Sequence, residues 1–111
     1  MTRGINHIGL TVPDIEIATA FFKEALDGRI AYDSQTKMDE PRGGQFVEHV
    51  LGLENGAEIV KKRMMVFNDG PNIEMFEFVY TNQKSAVNLQ DIGYTHISSV
   101  SYTHLRAHET R

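Results

Sequence analysis

The chain has 111 residues, 41% of them hydrophobic and 23% charged, with a formal net charge of −4 and no cysteine. This is the length and composition of one ordinary globular domain. It excludes disulfides and thiolate metal sites, offers nucleic acid no basic stripe, and holds no apolar run long enough for a membrane span or signal peptide, so a cytoplasmic protein is the default expectation.

Ile5 to Val12 alternates as a strand does, with His7, Gly9 and Thr11 on one face and Ile8, Leu10 and Val12 on the other. The apolar face is expected to pack on a helix, and Gly9 leaves room in front of the His7 imidazole. Pro13-Asp14 breaks the strand, and Asp14 is a natural N-cap. Ile15, Ala18, Phe22 and Ala25 then follow helical spacing, with Phe21 and Leu26 widening the stripe and Gly28 as a stop. A short strand is predicted over Arg29 to Tyr32, then a polar loop from Asp33 to Gly44. Gln45 to Leu53 suits a short helix, on which His49 reads as an exposed side chain. Ala57 to Phe67 reads as a long strand, Asn68-Asp69-Gly70-Pro71 as a turn, and Asn72 to Tyr80 as the next strand. Glu74, Phe76 and Phe78 face one way along it; Ile73, Met75 and Glu77 face the other, with Glu77 read as a solvated or rim charge.

Two copies of one phrase, G-x-x-H-I, frame this order: Gly4-Ile5-Asn6-His7-Ile8 and Gly93-Tyr94-Thr95-His96-Ile97. Repeats of this kind mark duplicated units. A single histidine on a strand is more often a hydrogen-bonded structural residue than a ligand, but the matched spacing favours a shared role for His7 and His96. Glu74 has its own bland reading as a solvated strand carboxylate. Its same-face neighbours Phe76 and Phe78 argue against that, because a carboxylate among aromatics is costly unless paired or metal-bound. Two imidazoles and a carboxylate suit a divalent Zn, Ni, Co, Mn or Fe ion, and the residues do not choose among them.

The segments Gly4 to Asp14, Gly70 to Phe78 and Gly93 to Ile97, taken together, resemble the vicinal oxygen chelate superfamily of glyoxalase I, methylmalonyl-CoA epimerase, extradiol dioxygenases and bleomycin- and fosfomycin-resistance proteins. The resemblance implies an α+β fold: a βαβββ module, two of which form an open, cup-shaped barrel around a divalent metal. It divides the chain into a first module (1–81), a linker (82–92), the first strand of an incomplete second module (93–99) and a tail (100–111). By position His7, Glu74 and His96 match the first three metal ligands of glyoxalase-like members. The fourth, a carboxylate that often moves the proton, has no counterpart.

The implied activity is that of a glyoxalase-like lyase, isomerase or epimerase acting on a small substrate with vicinal oxygens through an enediolate or enolate. The rivals are a metal-independent drug-binding protein and a ring-cleaving dioxygenase. The pocket would be lined by His7, Gly9, Thr11, Glu74, Phe76 and Phe78, and covered by the loop from Asp33 to Gly44 and the segment Phe46 to Leu53. The stretch Val100 to Thr110 reads as a translated sequencing adapter, so His104 and His108 are given no function despite their i, i+4 spacing. On this reading the 111-residue chain is a truncated gene product, weakly stable, aggregation-prone or a homodimer, and catalytically inactive by itself.

Overall fold

Six elements form in the computed structural model, which describes residues 1–99: β1 (His7–Thr11), α1 (Ile15–Leu26), β2 (Arg29–Gln35), α2 (Gln45–Leu51), β3 (Glu58–Val66) and β4 (Asn72–Val79). The strands make one mixed sheet in the order β1-β4-β3-β2, with β1 parallel to β4 and the other pairings antiparallel. This is the expected α+β, βαβββ succession, with the short α2 between β2 and β3. None of the helices among the described residues is long and apolar enough to cross a membrane.

Local chemistry sets α1. The Asp14 carboxylate accepts the backbone N–H groups of Glu16 at 2.8 Å and Ile17 at 3.2 Å, which have no acceptor inside the helix. At the other end Asp27 adopts a left-handed conformation, φ 56°, and the Gly28 N–H closes on the Phe22 carbonyl at 2.9 Å. Gly28 itself must lack a side chain: a Cβ there would lie 2.8 Å from the Phe67 ring.

The core lies between α1 and one face of the sheet. Ile15 and Phe22 from the helix meet Met65, Ile73 and Met75, and Phe22 contacts Phe67 edge-on with ring centroids 5.8 Å apart. The helix face differs from the expected stripe. Phe21 is 59% exposed, whereas Thr19 is buried. Thr19 is drawn inward by the buried Arg63 of β3, whose Nη1 donates to its hydroxyl at 3.0 Å. Arg63 also makes a two-pronged pair with Asp33, at 2.7 and 3.0 Å, and reaches Glu16 at 3.1 Å; Lys61 joins the same Glu16 carboxylate. This ladder explains why β2 continues past Tyr32. Asp33 and Gln35 pair with Arg63 and Lys62 across the sheet, a long-range constraint that overrides the polar, loop-like composition.

Two further expectations need correction. Glu77 is not a solvated or rim charge: it is 8% exposed and sits beneath the start of α1. Its Oε1 accepts the Ile15 N–H at 2.8 Å, and its Oε2 pairs with Lys37 at 2.8 Å. The unpaired N–H groups and positive end of a helix give a buried carboxylate good reason to be there. Second, the phrase around His96 forms no strand. Residues 94–99 are irregular and pair with no strand among the described residues. The tail 100–111, with His104 and His108, lies outside the described residues.

Candidate metal centre and ligand cup

Strand alternation turns Glu74, Phe76 and Phe78 away from α1, onto the open face of the sheet, because Ile73 and Met75 are committed to the core. In the parallel pairing Gly9 stands beside Glu74 and Thr11 beside Phe76. His7 and Glu74 are therefore diagonal neighbours, with a residue lacking a side chain between them. The imidazole Nε2 lies 3.7 Å from Glu74 Oε1. Both groups are partly accessible, with side-chain exposures of 41% and 24%.

The ring is held from behind. Asn6 Oδ1 lies 2.7 Å from His7 Nδ1 and offers an acceptor to that nitrogen, while Nε2 faces the Glu74 carboxylate. A ring nitrogen and a carboxylate facing each other can be bridged by a proton or by a metal cation. Two donors each about 2.1 Å from one tetrahedral ion lie roughly 3.4 Å apart, close to the observed separation. The residues fit a divalent ion as two of its ligands. Among the described residues no third His, Cys, Asp or Glu joins them.

His96 is not brought to this pair. It is exposed, and its Nδ1 lies 3.0 Å from Thr95 Oγ1. In both copies of the repeated phrase, then, the residue preceding the histidine offers an oxygen to Nδ1 and leaves Nε2 free. Asn6 and Thr95 escaped the sequence reading. The signal that would have revealed them is a side-chain oxygen immediately before each histidine.

Next to the His7–Glu74 pair the open face is hollowed. A cavity of about 300 Å³ is lined by Gly9, Thr11, Ile59, Phe76 and Phe78, with Leu51 and Leu53 closing it from above. The rings of Phe76 and Phe78 stack at 6.3 Å. A second hollow of about 240 Å³ adjoins it, sharing Thr11, Leu53 and Phe78 and adding Glu54, Tyr80 and Gln83. Of the two segments expected to cover the pocket, 46–53 contributes Leu51 and Leu53, whereas no residue of 33–44 lines either hollow. The α2 roof is lightly attached: none of its residues is buried, and Glu48 ties it down by accepting the Gly56 N–H at 3.0 Å. His49 is exposed, as expected for its position on α2.

A mixed βαβββ sheet with a histidine on its first strand, a glutamate on its last and an apolar cup between them defines a small-molecule binding class. The family model for the Glyoxalase/Bleomycin resistance protein/Dioxygenase superfamily matches residues 4–103. The chain belongs to that superfamily. No curated protein matches it. Membership establishes the fold and leaves the reaction to the site, since one fold hosts many chemistries.

Proposed function

We propose that this chain is a module of the glyoxalase-like, divalent-metal kind, which acts, once paired with a second module, as a lyase, isomerase or epimerase on a small substrate with two adjacent oxygens. The observation carrying this reading is the approach of His7 Nε2 to Glu74 Oε1, 3.7 Å apart at the edge of an apolar cup. His96 is assigned as the third donor, because its Nδ1 is engaged by Thr95 as that of His7 is by Asn6.

Asn6 holds the direction of the His7 ring through Nδ1; such outer contacts raise ligand basicity and hold geometry. At Gly9 a Cβ would lie 3.5 Å from the Phe76 ring, so the missing side chain widens the cup there. Phe76, Phe78 and Leu53 take the apolar body of the substrate out of water. A divalent ion, when bound, supplies Lewis-acid polarisation of the substrate oxygens.

Titrating the chain with Zn²⁺ or Ni²⁺ by calorimetry tests the assignment. Saturable binding that is lost in both His7→Ala and Glu74→Ala, and weakened in His96→Ala, is the expected result. Binding unchanged in the first two variants would overturn it. A second reading, metal-free sequestration of an aromatic molecule, is favoured by the stacked Phe76–Phe78 pair in the cup. It predicts ligand binding that is indifferent to chelators and to His7→Ala.

A further inference from the structure

The cup has two chemically different ends. At one stand His7 and Glu74. The other lies roughly 20 Å further along the direction of β4, six residues on at about 3.3 Å each, where Tyr80 follows the strand and meets Glu54 from the segment after α2. The Tyr80 hydroxyl donates to Glu54 Oε2. That bond fixes both side chains and leaves the other carboxylate oxygen open. The phenol is held protonated, its pKa raised by the hydrogen bond to Glu54.

Glu54 carries no matching cation among the described residues, unlike the acids of the ladder and the helix end. Glu16 is matched to Lys61 and Arg63, Asp33 to Arg63, and Glu77 to Lys37. Among the described residues no lysine or arginine pairs with Glu54. An exposed glutamate is ordinarily just solvated. This one stands at the mouth of a hollow of about 240 Å³, with the rings of Phe78 and Tyr80 beside it and no lysine or arginine lining either hollow.

We propose that Glu54, Tyr80 and Phe78 form a subsite for the cationic end, an ammonium or guanidinium group, of a small ligand whose apolar body lies along Phe76 and Phe78. A carboxylate supplies charge to such a group and two aromatic faces add cation–π attraction. An anionic end meets Glu54 and finds no counter-charge. This rests on the reading of the open face as the ligand face, and it specifies the part of the ligand remote from His7: an apolar body along Phe76 and Phe78 and a positive charge at Glu54. It does not depend on the metal, because Glu54 and Tyr80 touch neither His7 nor Glu74.

The test uses three probes of one shape: 3-phenylpropylamine, 3-phenylpropanol and 3-phenylpropionate, titrated into the full chain and followed by calorimetry and by the ring NMR signals of Phe78 and Tyr80. The amine is expected to bind about tenfold more tightly than the alcohol, and the carboxylate more weakly still. Glu54→Gln is expected to abolish the advantage of the amine while leaving alcohol binding in place. Tyr80→Phe, which frees Glu54, is expected to reduce it. Equal affinities for the three probes, no binding of any, or a preference for the amine that survives Glu54→Gln would each overturn the proposal. The comparison within the wild-type chain needs no variant to fold. The metal titration separates the two readings: absent metal binding with an intact amine preference removes the metal function and keeps the subsite, and the reverse result removes the subsite alone.

Discussion

Glu77 Oε1 accepts the backbone N–H of Ile15 at 2.8 Å, so the last strand of the module holds the first turn of its helix. The two residues are distant in sequence, and both are buried. The contact fastens α1 to β4 at the point where the core begins. Removing the carboxylate leaves a buried donor without a partner, so Glu77→Ala is expected to cost about 2 kcal/mol. Glu77→Gln keeps an acceptor oxygen and is expected to cost less. Lys37→Ala takes the counter-charge from Glu77 but leaves its bond to the Ile15 N–H, and is expected to cost less than Glu77→Ala because Lys37 is 57% exposed. Urea denaturation of the three variants checks the order.

Arg63 is the hub of the polar ladder between α1, β2 and β3. Replacing it with alanine strands the partly buried Asp33 carboxylate and takes a partner from Thr19. A loss of about 3 kcal/mol is expected. Arg63→Met in combination with Asp33→Leu, which removes both charges and keeps their bulk, is expected to recover most of it. Thermal melts of the single and double variants decide.

The same ladder gives the fold an acid sensitivity of definite sign. Hydrogen bonds from Lys61 and then Arg63 hold the Glu16 carboxyl at about 2, below its ordinary 4.5. Asp33 is held low by Arg63 in the same way. Both groups bind their protons more weakly when folded, so their contribution is complete above the unfolded values. It is lost as pH falls from about 4.5 towards 2. Glu16 is 62% exposed, and solvent screening reduces its share. Asp33→Asn is expected to flatten the dependence of the melting temperature on pH in this window.

Asn6 orients His7 without facing Glu74. Asn6→Ala is expected to weaken Zn²⁺ binding about tenfold, the loss typical of an outer contact to a ligating histidine. The melting temperature of the metal-free chain should hardly change, because His7 and Asn6 are both exposed. Asn6→Asp, which keeps the acceptor, is expected to retain binding. Calorimetric titration of both variants against the wild type is the measurement.

Local signals made much of this legible from sequence. Asp14, Leu26 and Gly28 bound α1 because caps and stops act within a few residues, and the turn at Asn68 to Pro71 separates β3 from β4 for the same reason. The alternation of β4 assigned Glu74 and the two phenylalanines to one face. What escaped depends on partners far along the chain. Thr19 is inside because Arg63 is, β2 is long because β3 pairs with it, and Glu77 is buried because a helix end lies over it. Strand propensity around His96 was likewise insufficient, and no pairing forms there among the described residues. Of the three residues assigned to a metal, the fold brings His7 and Glu74 together and leaves His96 apart, and the ligand role of all three is a proposal.

The alternation along β4 also divides the labour of mutation. Positions 73, 75 and 77 face the helix and carry the stability of the module, while 74, 76 and 78 face the cup. Neighbouring codons thus answer to different pressures, and changes at the second set leave the helix side of the sheet largely undisturbed. A library randomised at 74, 76 and 78 alone would explore new ligand preferences on an intact scaffold, a route by which one module can diversify its chemistry without refounding its core.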